Sequence, residues 1–192
     1  MKKLFIGGLT ILTVFLSCIQ EGTTTQESEQ KRFKQEFLDY INQARHDGCN
    51  CGHTYMPPVP PLVWNDQLEI AAMGHAEDMA TKNYFSHTSK NGKSVADRVI
   101  LAGYTYKGYK TFTVGENIAS GQLSIPEVMT GWLKSEGHCK NLMNADFKEV
   151  GVAVFRNYWV QDFGGRQPFS EREQQLIKSG KYKLIQKVGP KH

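Results

Sequence analysis

Glu149-Val150-Gly151-Val152-Ala153-Val154-Phe155-Arg156-Asn157-Tyr158-Trp159-Val160-Gln161-Asp162-Phe163 is the stretch whose reading decides the fold. Val150, Val152 and Val154 recur at every second residue, the period of a strand. Tyr158 to Phe163 alternates in the same way, and Arg156-Asn157 leaves room only for a tight turn between the two. Most of the helical patterns precede this hairpin. Helices followed by paired strands predict an α+β domain, with helices packed on an antiparallel sheet.

Working back from the hairpin, Ser124 begins a helix, with Pro126 in its first turn and Glu127 at the capping-box offset. Val128, Met129, Trp132 and Leu133 give it an apolar face. Tyr109 to Val114 reads as a further strand. Ser94 caps a short helix running to Leu101 and stopped by Gly103. Asp66, with Glu69 three residues on, begins a longer helix whose buried face is Leu68, Ala71, Ala72, Met79 and Ala80. It is expected to end near Lys82 to Tyr84, which leaves His87 in the loop beyond. Met56-Pro57-Pro58-Val59-Pro60-Pro61 lacks the ladder donors a strand needs and reads as a stiff, extended connection. Before it, Phe33, Phe37, Tyr40, Ile41 and Ala44 predict an amphipathic helix over Lys31 to His46, ended by Gly48. After the hairpin, Ser170 with Glu173 starts a helix over Glu171 to Lys178, stopped by Gly180. No internal repeat is present.

The first residues concern the compartment. Lys2 and Lys3 precede an uncharged apolar run, Leu4 to Leu16, which is too short to span a bilayer and has the length of a signal-peptide core. Residues 1–17 are therefore read as an export signal. Leu16-Ser17-Cys18 resembles a bacterial lipoprotein cleavage box, so Cys18 is expected to carry a lipid, with plain secretion as the alternative. The chain is then anchored in the cell envelope, at the outer membrane or the cell surface. Residues 18–30 are a polar tether, residues 31–165 the domain, and residues 166–192 a basic extension read as solvated. The net charge of +4 falls to about +2 without Lys2 and Lys3, which gives no reason to expect nucleic acid as a partner. Removing Cys18 from the four cysteines leaves Cys49, Cys51 and Cys139. Export permits a disulfide, and Cys49 and Cys51 are too close to pair, so one of them is expected to join Cys139.

Three short segments carry the polar chemistry: Phe85-Ser86-His87, Gly115-Glu116-Asn117 and Gly137-His138-Cys139. Two imidazoles and a carboxylate match the composition of an open zinc site, and equally that of a hydrogen-bonded His/Glu cluster without metal. No helical His-x-x-x-His pair supports the first reading. His75 falls near a buried helix face and reads as a core histidine bonded to backbone or to a Glu; His53 reads as an exposed loop residue. Ser86 and Ser135 lie near His87 and His138, but no Gly-x-Ser-x-Gly elbow or oxyanion hole accompanies them. Cys139 beside His138 is more readily a bridge than a nucleophile. Trp132, Trp159 and Tyr158 read as packing residues.

From Leu62 to Gly165 the chain resembles a bacterial member of the CAP superfamily, the SCP-domain proteins named for cysteine-rich secretory proteins, antigen 5 and pathogenesis-related 1 proteins. The segments that carry the resemblance include Pro61-Leu62-Val63-Trp64-Asn65, Gly74-His75-Ala76-Glu77-Asp78-Met79-Ala80, Tyr84-Phe85-Ser86-His87 and Gly115-Glu116-Asn117-Ile118-Ala119. They continue with Gly131-Trp132-Leu133-Lys134-Ser135-Glu136-Gly137-His138, Asn141-Leu142-Met143-Asn144, Glu149-Val150-Gly151-Val152 and Tyr158-Trp159-Val160-Gln161-Asp162-Phe163-Gly164. Their order and spacing make the assignment.

The resemblance implies a three-layer α-β-α sandwich with a central antiparallel sheet and a cleft. In eukaryotic relatives two His and two Glu line that cleft and can bind a divalent cation such as zinc. His87, Glu116 and His138 match three of the four. Ser135 stands at the position of the second Glu, which bacterial relatives often lack, and Glu136 lies one residue beyond it. The resemblance also implies a Cys51–Cys139 disulfide, leaving Cys49 extra. It points to a non-enzymatic protein that binds a lipid- or sterol-like ligand, or a protein partner, at His87, Glu116, Ser135 and His138. The rival readings are a metal-dependent hydrolase, with Glu116 as base and His87 and His138 as ligands, and a structural envelope protein.

Overall fold

The structure, a computed structural model, describes residues 11–182, with side chains from residue 25 onward. Residues 1–10 of the expected export signal, the side chains of its remainder and of Cys18, and the tail lysines Lys183, Lys187 and Lys191 lie outside the described residues. Among those described, no helix is long and apolar enough to cross a membrane.

The decisive hairpin is present as β5 (Glu149–Phe155) and β6 (Tyr158–Pro168), paired antiparallel from Glu149↔Gly164 to Phe155↔Tyr158. Arg156 and Asn157 both have positive φ, 48° and 63°, which matches the right-handed strand twist as a type I′ turn does. β4 (Tyr109–Ser120) pairs antiparallel with β6, and β3 (Val63–Trp64) adds to β5 in parallel, giving the order β3-β5-β6-β4. The sheet is thus antiparallel except for a two-residue parallel edge. β4 is longer than the predicted Tyr109 to Val114 and carries Gly115-Glu116-Asn117 inside the sheet. The strand reading stopped short because Gly115, Glu116 and Asn117 are poor strand formers whose place in the ladder is secured by β6.

Helices cover both faces. α1 (Ile11–Asp47), α4 (Ile125–Lys134) and α5 (Glu136–Leu142) lie on one side. There Phe37, Ile41, Val128, Met129, Trp132 and Leu142 pack against Val150, Val152, Trp159 and Phe163. α2 (Asp66–Lys82) and α3 (Val95–Leu101) lie on the other. Ala72, Ala76 and Met79 of α2 meet Ile118, Ala153 and Val160, the alternate residues of the same strands. This is the three-layer sandwich. α2 comes closest at Gly151, where an added Cβ would lie 2.1 Å from the Glu69 backbone nitrogen.

The helix signals hold with small shifts. Asn65, not Asp66, caps α2, accepting from the Gln67 and Leu68 amides, and Asn83 ends it in the left-handed conformation. Ser94 and Asp97 form a full capping box on α3. Ser124 caps α4 through the Glu127 amide, while the Glu127 carboxylate accepts from Leu123 N instead. α6 (Glu171–Lys178) has its Ser170/Glu173 box. α1 begins well before Lys31, so residues 21–30, read as a tether, are helical in backbone. Gln26, Glu27, Glu29 and Gln30 are good helix formers and no proline interrupts the segment; Gln30 also donates to Glu69 of α2. β6 likewise runs past residue 165, where Arg166 pairs with Glu149 at 2.7 Å.

Two contacts place the helix that carries His138. Arg45, fully buried at the end of α1, donates to the carbonyls of Pro60, Leu142 and Asn144. It therefore satisfies C-terminal carbonyls of α5 and holds the proline-rich connection with one guanidinium. Burial lowers its pKa to about 10. The second contact is a small hairpin the sequence did not announce, β1 (Cys49–Cys51) with β2 (Thr54–Met56), linked to α5 by the Cys51–Cys139 disulfide.

Candidate functional site

The site is built on the edge strand β4. Neighbouring strand residues point to opposite faces, so Glu116 faces the α2/α3 side and Asn117 the α5 side. Glu116 is buried, and each of its oxygens has a partner. Oε1 lies 2.7 Å from His87 Nδ1, and Oε2 accepts from Arg98 Nη2 at 2.5 Å. Arg98 uses its other terminal nitrogen on the loop itself, donating to the His87 carbonyl at 3.0 Å, Ser89 Oγ at 3.2 Å and the Lys93 carbonyl at 3.1 Å.

His75 supports the same loop from α2. Its Nε2 lies 2.9 Å from the Ser86 carbonyl, and its Nδ1 3.5 Å from Ser89 Oγ. It is a core histidine bonded to backbone, as its place on the buried face implied. Burial depresses its pKa despite the nearby Glu116. The His87 ring is thus held at Nδ1 while the side chain stays 57% exposed, which leaves Nε2 for solvent or a ligand. A group fixed this way is pre-organised to receive a polar atom.

On the other face, Asn117 and Asn141 stitch α5 to β4. Asn117 Nδ2 donates to the His138 carbonyl (3.2 Å) and to Gln161 Oε1 (3.0 Å). Asn141 Nδ2 donates to the Glu116 carbonyl (3.1 Å) and to Asn117 Oδ1 (2.9 Å). Cys139, one residue on, is bonded to Cys51. His138 is therefore held from two directions. Burial first, and then the charge of His87, lower its pKa, so the two imidazoles lie within electrostatic reach of each other.

Ser135 does not enter this network. It sits in an extended break between α4 and α5 (φ −84°, ψ 120°) and makes no side-chain cap bond. Glu136 pairs with Lys140 at 2.6 Å, and its carboxylate lies over Gly52 in the β1–β2 turn. Neither supplies a second cleft carboxylate.

Sequence reasoning missed Arg98 and Asp162. An Arg in a short helix carries no signal that it is buried. Asp162 stands directly opposite Glu116 in the β4–β6 register and is fully buried, with neither oxygen hydrogen-bonded among the described residues. Burial, and then the charge of Glu116, push its carboxyl well above the usual range. Of this pair, Glu116 is the one that makes the ion pair with Arg98.

This arrangement bears on metal binding. With both oxygens committed and a guanidinium at 2.5 Å, Glu116 does not fit as a third direct ligand beside His87 and His138. Among the described residues, the group of three ligand atoms lying within 4.8 Å of one another is Cys49, Cys51 and Cys139. Ser86 Oγ accepts from the Thr88 amide as a turn cap, and Cys139 is bonded to Cys51.

Comparison with known proteins agrees with the fold. The family model described as "CAP: Cysteine-rich secretory protein family" matches residues 38–163. YkwD of Bacillus subtilis is 32% identical over 146 residues, covering 75% of this chain and 51% of YkwD. YlbC of the same organism, described as an uncharacterized membrane protein, is 43% identical over 103 residues, covering 53% of this chain and 28% of YlbC. The chain thus spans about half or less of the length of these curated relatives. An extracellular SCP-domain protein from Bacillus anthracis superposes with a TM-score of 0.55 at 34% identity, covering 68% of this chain and 39% of that one. The match over most of the domain, together with the sandwich that carries His87, Glu116 and His138, shows that the chain belongs to the CAP, or cysteine-rich secretory protein, family.

Proposed function

We propose that this protein is an exported, lipid-anchored envelope protein whose CAP domain binds an amphipathic, lipid-like ligand at His87 and His138 and performs no turnover. The observation that carries the reading is the commitment of both Glu116 oxygens. A general base needs a lone pair directed at its proton, and here Arg98 and His87 occupy the carboxylate. What remains is a binding edge. His87 offers a ring nitrogen, and Phe85, 53% exposed and 6.4 Å from the Tyr158 ring, offers an apolar contact beside it. Membrane attachment rests on the signal-like residues 1–17 and on Cys18; the extracellular description of the Bacillus anthracis relative supports export.

Native mass spectrometry on the oxidised full chain recovered from envelope extract tests this. A lipid-sized adduct is expected, at an occupancy reduced tenfold or more in His87→Ala. Absence of any adduct, or hydrolysis of peptides or esters that disappears in Glu116→Gln, would reject it and favour the hydrolase.

A further inference from the structure

The third cysteine is not remote from the disulfide. Cys49 Sγ lies 3.5 Å from Cys139 Sγ and 4.0 Å from Cys51 Sγ. Cys49 and Cys51 are two apart on one short strand, so their side chains share a face, and both look onto α5. Cys51 and Cys139 are fully buried beside Met143, and Cys49 is half-buried at the margin of the same cluster, with Met56 and Val59. A free thiol in van der Waals contact with a disulfide sulfur is the reactant pair of thiol–disulfide exchange.

We propose that Cys49, Cys51 and Cys139 form one exchangeable three-sulfur site in which Cys139 is the shared partner. Cys49 releases its proton to solvent, and its thiolate attacks Cys139 Sγ. The Cys49–Cys139 bond forms as the Cys51–Cys139 bond breaks, and Cys51 leaves as a thiolate that takes up a proton. One disulfide and one thiol exist before and after, so no oxidant or reductant is required. The regiochemistry follows from the chain, since attack on Cys51 would close a bridge across a single residue. The two distances set the thiol beside the S–S bond, so the Cys49 side chain must turn about χ1 to reach the in-line approach to Cys139.

The exchange has a structural consequence. In both isomers Cys139 stays bonded to β1, so α5 and His138 remain tied down while the thiol moves. At position 49 the thiol is half-exposed and open to small reagents; at position 51 it is fully buried and shielded. Burial also raises the Cys49 pKa, so the exchange accelerates with pH, roughly tenfold per unit while the thiol is mostly protonated.

The deciding experiment counts thiols in Cys51→Ala made as the full oxidised chain. We expect neither Cys49 nor Cys139 to titrate in the folded protein and a Cys49–Cys139 bridge on peptide mapping. Titration of both Cys49 and Cys139 in a folded Cys51→Ala overturns the proposal. If that variant does not fold, the wild type decides. It is quenched and unfolded in acid, which stops exchange and exposes position 51, and then labelled with a maleimide without reductant. Label at both Cys49 and Cys51 and none at Cys139 supports exchange, and label confined to Cys49 overturns it.

Discussion

Arg98 Nη2 donates to Glu116 Oε2 at 2.5 Å, and both side chains are buried. This pair joins α3, the His87 loop and the edge strand in one contact. Removing the cation leaves a buried carboxylate beside a second carboxyl, Asp162. Arg98→Ala is therefore expected to destabilise by about 3 kcal/mol or more and to free the His87 ring. Arg98→Lys should recover only part of this, because an ammonium cannot match the planar fork that reaches three loop acceptors. Urea unfolding and the NMR line width of His87 check both.

Acid should weaken the fold before the carboxylates titrate. His75 and His138 have folded pKa values below their ordinary 6.5, so between those values and 6.5 the unfolded chain binds protons that the native state refuses. Stability contributed by the neutral rings is complete above about pH 6.5 and is lost as pH falls, by up to about 1.4 kcal/mol per unit for each group. Urea midpoints between pH 8 and 5 measure it, and His75→Gln should flatten the slope.

Asp162 acts in the opposite direction. Its folded pKa is raised, so its contribution is complete below the unfolded value near 3.8 and falls as pH rises through the folded value. Asp162→Asn should remove that fall, and the mutant should be relatively more stable at pH 8 than at pH 4 when each is compared with wild type. Melting temperatures across that range report it.

Cys139→Ala removes the shared sulfur, so neither Cys51 nor Cys49 can bridge to α5. With the bonded cysteines separated by 88 positions in the sequence, the loss is on the order of 4 kcal/mol by chain entropy. The His138 imidazole resonance should also broaden, since only the Asn117, Asn141 and Arg45 hydrogen bonds then hold α5 in place. An unchanged resonance in the folded variant would show that the disulfide does not position the ring.

Gly151→Ala tests the closeness of α2 to the sheet. The new Cβ would lie 2.1 Å from one backbone atom and 2.4 Å from another, and neither can swing aside as a side chain could. A loss of about 3 kcal/mol is expected, read as a lower urea midpoint or as insoluble expression.

Much of the fold is legible because local rules and tertiary packing agree. The period-two valines of β5, the Ser94, Ser124 and Ser170 caps and the Arg156-Asn157 turn are each decided within a few residues. Agreement fails where a distant partner decides. β4 extends through Gly115, Glu116 and Asn117 because β6 supplies the ladder, and the parallel edge β3 is only two residues long. The β1–β2 hairpin lies in a cysteine-rich run with no alternation to read. Asn65 displaces Asp66 as a cap by one position, within the resolution of any reading from pattern alone.

By itself the sequence determined the order of the main helices and of the β5–β6 hairpin, the two apolar helix faces and, through its ordered motifs, the family. It also named His87, Glu116 and His138. Only the tertiary structure decided how they stand. Adjacent strand residues face opposite ways, so Glu116 turns to His87 and Arg98 while Asn117 turns to His138. Asp162 arrives from β6 and Arg98 from α3. Those partners are set by register and burial, which depend on contacts between residues far apart in the chain and leave no local trace in it.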